Sequence, residues 1–134
     1  MGPSITTPPT AVPAGSYNDV YEIEAFGPEE ELVEVTRWVG NVPRRFVPQD
    51  LRISVNTMSG ENCVIDILKG GVSIFATPGG ITLSETTQLL LAEDINLEAL
   101  DAGDRLEVQV LDGYVLYGTN WTGLRIAFLG SWET

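Results

Sequence analysis

Apolar and polar residues alternate along most of the chain after residue 16. The clearest alternation covers residues 105–111, where Leu106, Val108 and Val110 fall on one side and charged or amide side chains fall on the other. A period of two residues predicts strands with one buried face. Further strands are predicted at 17–26, 32–40, 81–83, 88–92, 114–117 and 124–129, and a single helical turn at 96–100.

The stretch 50–76 forms the predicted centre of the fold. Two alternating runs, 51–55 and 63–68, are separated by a polar break. Gly70 and Gly71 follow the second run, and adjacent glycines suit a tight hairpin because a primed turn needs positive φ at both central residues. We therefore predict three successive antiparallel strands joined by two hairpins.

Glycine and proline content favours a small all-β domain. The chain has 14 glycines and 8 prolines among 134 residues, which suits many turns. Pro48 precedes the central run and is predicted at a sheet edge or a bulge, because proline cannot donate to the strand ladder. The sequence thus predicts an all-β antiparallel β-sandwich of the jelly-roll type over residues 17–134, preceded by an extended arm at 1–16.

The predicted arm contains four prolines and no periodic pattern. Proline removes backbone donors and favours extended, polyproline-like conformations, so the segment is not expected to fold alone. Two interpretations stay open: an arm that becomes ordered against a partner, and a tail that has no partner.

The net charge of the chain is −12, from 19 acidic and 7 basic residues. This excess disfavours nucleic acid and anionic membranes as partners. The N-terminus has neither the basic region nor the apolar run of a signal peptide, and no stretch reaches the ~20 apolar residues of a transmembrane helix. We therefore expect a chain that is made in a cytoplasm and stays soluble there until it is assembled or released.

No set of residues for catalysis is evident. The chain has no histidine, which removes the commonest general base and zinc ligand. Its single cysteine, Cys63, lies in an apolar run and is predicted as an inert core thiol. Glu34, Asp66 and Glu107 lie in predicted strands, where solvent-facing acids are expected rather than a carboxylate pair for glycoside hydrolysis. We predict no enzymatic activity and no cofactor.

A second group of acids surrounds a predicted turn. Asp101 and Asp104 lie in it, with Glu93, Asp94 and Glu98 close by in the sequence. Oxygen ligands at such spacing can hold calcium. An aspartate before a tight turn also caps its own backbone, and the spacing does not match an EF-hand loop. Turn capping is the preferred interpretation, and no metal site is predicted.

Aromatic residues concentrate near the C-terminus. Trp121 falls in a predicted loop at 118–123, where exposure is expected, and Tyr114 and Tyr117 precede it. Aromatic rings displayed on a loop can stack on sugar rings, so these three residues form a candidate glycan-stacking group. Packing inside the domain or against another subunit is the other interpretation.

Three stretches of the chain resemble a recurrent β-sandwich domain of tailed-bacteriophage structural proteins. Residues 66–75 fit the hairpin pattern D-I-x-x-(N/G)-G-x-S-I-F, residues 102–110 fit A-G-D-x-L-x-V-x-V, and residues 123–126 fit G-L-x-(V/I). The similarity extends over residues 37–130, with Gly-Gly at the turn where Asn-Gly is frequent. It implies a virion component, and the small size of the chain favours a decoration (cement) protein on the capsid surface.

The resemblance implies binding to the major capsid protein and assembly as a homo-oligomer, such as a trimer around a local three-fold axis. Ile5, Val12 and Tyr17 are the predicted apolar contacts of the arm. Arg44 and Arg45 are the predicted salt links to an acidic partner surface. The alternative is a carbohydrate-binding or receptor-binding module of a phage fibre or baseplate, which would use the three C-terminal aromatic residues.

Overall fold

A computed structural model describes residues 19–58, 63–77, 79–112 and 121–133. These residues form nine strands and one short 3-10 turn, and no α-helix occurs among them. The strands are β1 (Asp19–Glu31), β2 (Thr36–Asn41), β3 (Phe46–Ser54), β4 (Cys63–Lys69), β5 (Val72–Ser73), β6 (Ile81–Leu83), β7 (Thr87–Leu90), β8 (Arg105–Asp112) and β9 (Thr122–Trp132). The all-β prediction is confirmed. In this part of the chain, no helix has the length and apolarity needed to cross a membrane.

The strands form two antiparallel sheets. The four-stranded sheet has the order β1-β9-β3-β7. The five-stranded sheet has the order β2-β8-β4-β5, and β6 also pairs with β4. Pairing is nested: the first strand meets the last, β2 meets β8, β3 meets β7, and β4 meets β5.

Both sheets contribute to one hydrophobic core, which gives a sandwich-like architecture. Alternate residues of β3, β4, β8 and β9 point into the core, as the period of two predicts. Fully buried members of this cluster include Leu51, Ile53, Ile65, Ile67, Leu106, Val108, Leu124, Ile126 and Phe128. Each such side chain contributes about 1.5–3 kcal/mol by leaving water. Cys63 is also buried in this cluster, as predicted.

One of the two predicted hairpins is wrong. The runs 51–55 and 63–68 belong to different sheets, because β3 pairs with β7 and β9 whereas β4 pairs with β5, β6 and β8. Alternation determines which face of a strand is buried, but it does not determine which strand lies beside it. The second hairpin is confirmed: Gly70 and Gly71 have φ of 59° and 85°, and Lys69 pairs with Val72.

Several boundaries differ from the sequence prediction. β1 runs on to Glu31 through two register shifts instead of stopping at Gly27. The helical turn lies at Ala92–Asp94 and not at 96–100. Pro48 lies at a register shift between β3 and β9, which confirms the predicted bulge. The arm at 1–16 and the predicted strand 114–117 lie outside the described residues.

One bidentate ion pair connects the two sheets. Arg37 of β2 donates to both carboxylate oxygens of Glu30 in β1, at 2.9 and 2.8 Å, and to the Ala25 carbonyl at 3.0 Å. Its guanidinium carbon lies 4.1 Å from the centre of the Phe26 ring. The hydrogen bonds from Arg37, together with one from the Gly27 N–H, lower the pKa of the Glu30 carboxyl. The pair holds the end of β1 against the edge of the other sheet.

The backbone of β3 comes closest to β9 at Gly130. A Cβ on Gly130 would lie 2.0 Å from the Val47 carbonyl oxygen and 2.9 Å from Pro48 Cα. Both contacts are with backbone atoms, which cannot move aside as a flexible side chain can. The bulge in β3 therefore requires glycine at this position of β9.

We expect Gly130→Ala to lower the free energy of unfolding by about 2–3 kcal/mol, the usual effect of overpacking a closed site. Urea denaturation followed by tryptophan fluorescence would measure the change. Gly27→Ala is the matched control, because a Cβ at Gly27 has nothing within 4 Å. Equal stability of the two variants would contradict the close approach of β3 and β9.

Candidate functional site

The loop between β2 and β3 carries the two arginines predicted to bind a partner. Arg45 Nε donates to Glu133 Oε2 at 3.1 Å, and its Nη1 donates to the Asp101 carboxylate. These bonds, first to Glu133 and then to Asp101, raise the pKa of the Arg45 guanidinium. The charge of Arg45 is therefore engaged within the chain. Arg44 lies with its guanidinium carbon 5.1 Å from the centre of the Trp132 ring and remains exposed.

A cavity of about 320 Å³ opens beside Arg45. Lys69 also lines it, and its Nζ lies 3.6 Å from Asp104 Oδ2. Glu98 and Asp101 supply two carboxylates to the same wall. Because two cations and two anions line the cavity, its side chains provide no net charge to select an ionic ligand.

The acidic group around the 101–104 turn caps the backbone, as predicted. Asp104 Oδ2 accepts a hydrogen bond from the Asp101 N–H at 2.7 Å, and Asp94 Oδ2 accepts one from the Leu91 N–H at 2.9 Å. Capping uses the oxygen atoms that a cation would otherwise need. Among the described residues, no three side chains of the metal-binding types lie close enough to hold an ion.

The prediction that strand acids face solvent is wrong for Asp66. This side chain is buried, and its Oδ1 accepts hydrogen bonds from Ser73 Oγ at 2.6 Å and from the Ile67 N–H at 2.8 Å. The carboxylate thereby fastens the β4–β5 hairpin. Glu107 is half-buried on β8, and Glu34 is exposed between strands.

Trp121, one of the three residues of the candidate glycan-stacking group, is not exposed as expected. Trp121 is only 2% exposed. Its carbonyl oxygen accepts a hydrogen bond from the Leu32 N–H at 2.9 Å, which anchors the start of β9 beside the end of β1 and places the indole in the core. Tyr114 and Tyr117 lie outside the described residues, as do Ile5, Val12 and Tyr17.

The exposed tryptophan is Trp38, which was not among the predicted site residues. It is 54% exposed on the edge strand β2. The sequence carried a signal for it, because the alternation of 32–40 places Trp38 on the same side as Glu34 and Thr36, the polar side. A tryptophan on the polar side of a strand is a candidate contact for a partner or a ligand.

Trp121→Ala should lower the free energy of unfolding by about 3–5 kcal/mol, because it removes a large buried side chain. Trp38→Ala should change that energy by no more than about 0.5 kcal/mol, as is usual for an exposed site. Guanidinium denaturation of both variants, followed by circular dichroism, would compare them. A stable Trp121→Ala protein would contradict the burial of this indole.

The outer face of the four-stranded sheet exposes three large apolar side chains, Val20, Leu89 and Leu91. We define it by the outward residues Val20, Glu22, Glu24, Asp50, Arg52, Leu89, Leu91 and Arg125. They surround Leu129 of β9, which is itself only 4% exposed. Leu89 is 52% exposed, and Val20 and Leu91 are nearly as open. The outer side of a sheet in contact with water usually carries polar side chains, so these exposed apolar side chains are unusual.

Asp50 is the unusual member of this face. It pairs in register with Leu129 and is only 7% exposed. Its carboxylate has no hydrogen-bond partner among residues 19–58, 63–77, 79–112 and 121–133. A buried acceptor without a donor is costly and calls for a physical explanation.

The outer face is close to neutral in a strongly acidic chain. Glu22, Glu24 and Asp50 contribute three negative charges, and Arg52 and Arg125 contribute two positive charges. Arg125 Nε lies 3.8 Å from Glu24 Oε2. Arg52 forms no salt bridge within the described part of the chain. The net charge of this face is therefore −1, against −12 for the whole protein.

Comparison of the chain with family models, with curated protein sequences and with solved structures finds no match in any of the three.

Proposed function

We propose that the protein is a non-enzymatic structural component of a tailed-phage virion, a decoration (cement) protein that binds and stabilises the shell of the major capsid protein. The observation that carries this proposal is the outer face of the four-stranded sheet. It combines exposed leucines, an almost neutral charge and a buried carboxylate that has no donor among the described residues. A protein partner that covers the leucines would remove their exposure to water, and a hydrogen bond from that partner to Asp50 would give the buried carboxylate a donor.

Charge complementarity favours a protein partner with an acidic group at its rim. Five of the seven basic side chains of the chain lie in ion pairs with its own acids. The other two are Arg44 and Arg52, which keep their charge available to a partner. Arg52 lies within the outer face, so it takes the role first assigned to Arg45.

The strand order supports a jelly roll, which is the finer form of the fold that we infer. β5 and β6 both pair with β4 and count as one strand, which leaves eight strands in nested pairs. Eight nested strands in two sheets are the connectivity of jelly rolls, which occur in viral capsid and lectin domains. Because this link to capsids is an analogy of fold, it supports a virion role only in general terms.

The arm at 1–16 would act beside the same face. It joins the domain just before Asp19, where β1 begins, and Val20 of the outer face is the next residue. Ile5, Val12 and Tyr17 would then extend the apolar contact onto the capsid or onto a neighbouring copy in a trimer. Ordering the arm costs entropy, so the combined contact must exceed the ~1,000 Å² of a specific interface.

We expect the double variant Leu89→Glu with Leu91→Glu to lose capsid binding, because it places two charges in an apolar contact. Co-sedimentation with empty heads built from the major capsid protein of the same genome would measure binding. Val72→Glu is the matched control, since Val72 is 69% exposed but belongs to the other sheet. Binding by the double variant at the level of the control would exclude this face as the contact.

Deletion of residues 1–16 should abolish capsid binding and leave the midpoint of urea denaturation unchanged. The members of the core cluster among the described residues begin at Tyr21, so we expect the domain to fold without the arm. The same co-sedimentation assay would measure binding, with the full chain as reference. If the shortened chain binds heads as well as the full chain does, the arm is not part of the contact.

One observation favours the alternative, a carbohydrate-binding or receptor-binding module of a phage fibre or baseplate. The five-stranded sheet displays Trp38 on its outer face, away from the proposed capsid contact. The alternative thus has an aromatic residue to use, although not one of the three that the sequence suggested.

A further inference from the structure

Trp38 is held in one orientation on the outer face of the five-stranded sheet. Its Nε1 donates a hydrogen bond to Asn41 Oδ1 at 3.0 Å. The guanidinium carbon of Arg105 lies 5.6 Å from the centre of the ring. With Arg105 on one side of the ring and an exposure of 54%, solvent reaches the other side. A fixed, open indole loses little freedom when a ligand covers it.

Polar side chains with unused hydrogen-bonding capacity lie next to the indole. Glu107 pairs in register with Trp38, and Gln109 pairs with Thr36 two residues along β8. The closest cation to Glu107 is Arg105, at 3.7 Å, which is too long for a strong hydrogen bond. The Gln109 amide makes no hydrogen bond to any side chain or backbone group within the described ranges. The Glu107 carboxylate can therefore accept hydrogen bonds from a ligand, and the Gln109 amide can donate or accept them.

The spacing of these groups follows from the sheet. Side chains directly opposite one another on neighbouring strands lie about 5 Å apart, and diagonal neighbours lie about 7–8 Å apart. Trp38, Glu107 and Gln109 therefore form a flat surface whose extent matches one or two sugar rings. We call these three residues the indole platform.

We propose that the indole platform binds a neutral pyranose glycan, with the apolar C–H face of one ring against the indole. The negative π-face of tryptophan attracts the partly positive C–H groups of a sugar. The hydroxyl groups at the edge of the same sugar would bond to the Glu107 carboxylate and the Gln109 amide. Glu107 and the buried Asp66 disfavour an anionic sugar, as does the net charge of −12.

The position of the platform suits an internal unit of a longer glycan. β2 pairs only with β8 among the described strands, so Trp38 lies at an open edge of the sheet. A chain of sugars can extend past this edge without meeting another of the nine described strands. This inference gives the alternative function a site and a ligand class, and it does not depend on capsid binding.

Titration of the full chain with chitohexaose and with cellohexaose, both neutral, would test the proposal by calorimetry and NMR. At least one should bind and should shift the indole N–H signal of Trp38, which is assigned by its absence in Trp38→Ala. The indole of Trp121, buried in the core, should not shift. Polygalacturonate, an anionic polymer, should not bind.

Trp38→Ala should weaken binding roughly tenfold or more, whereas Trp38→Tyr should retain part of it. Leu89→Ala is the matched control, because Leu89 is exposed to 52% on the opposite sheet. It should bind as the unchanged protein does. An equal denaturation midpoint would show that Trp38→Ala remains folded.

The proposal is overturned if neither neutral oligosaccharide binds, if Trp38→Ala binds as tightly as the unchanged chain, or if polygalacturonate binds more tightly. The capsid proposal fails on different evidence, namely head binding that survives charges at Leu89 and Leu91. Loss of glycan binding in Trp38→Ala with normal head binding would show that the two surfaces act separately.

Discussion

The fold depends on the insertion of its last strand between two of its earliest. β9 bonds to β1 along one edge and to β3 along the other, so the four-stranded sheet is complete only when the C-terminal strand is in place. Three of its inward side chains, Leu124, Ile126 and Phe128, are fully buried. Pairing of the first strand with the last closes a loop of nearly the whole chain, and such long-range contacts make folding slow.

The same strand organises the surface. Leu129 lies on the outward side of β9 between Val20 of β1 and Asp50 of β3. The apolar outer face and its buried carboxylate are thus consequences of where β9 lies. The pair of Arg45 with Glu133 is exposed and adds little to stability, whereas the bidentate pair of Arg37 with Glu30 holds the end of β1 against β2. Arg44 and Arg52 form no ion pair within the described residues.

The buried face of each strand could be predicted from the sequence, but the strands that pair with it could not. The alternation of 51–55 and 105–111 identified buried positions because one face of each strand lies on the core. The same pattern assigned β3 and β4 to one sheet, which is wrong, because a strand carries no local signal for the sheet that it joins. The hairpin at Gly70 and Gly71 was predicted correctly, because the positive φ that glycine allows is a requirement of the turn itself.

The exposure expected for Trp121 and Asp66 was wrong, because the burial of each depends on contacts outside its own strand. Trp121 looked exposed in a polar loop, but its backbone pairs with Leu32 and draws the indole inward. Asp66 looked solvent-facing, but Ser73 across the hairpin gives it a donor. The exposure of Trp38 could have been predicted, because its place on the polar side of β2 follows from the alternation within that strand. Contacts with other segments thus decide whether a polar or aromatic residue is buried. Alternation within a strand indicates only which residues are exposed.

The two outer faces of the sandwich suggest how both proposed contacts can coexist. The outer faces of two packed sheets point in opposite directions. A copy that rests on a capsid through the four-stranded sheet therefore presents the five-stranded sheet, with Trp38, to the medium. The acidic surplus of the chain lies outside the nearly neutral outer face of the four-stranded sheet, so it would remain exposed in such an arrangement and limit unspecific association. Attachment and glycan binding thus need not compete for the same surface.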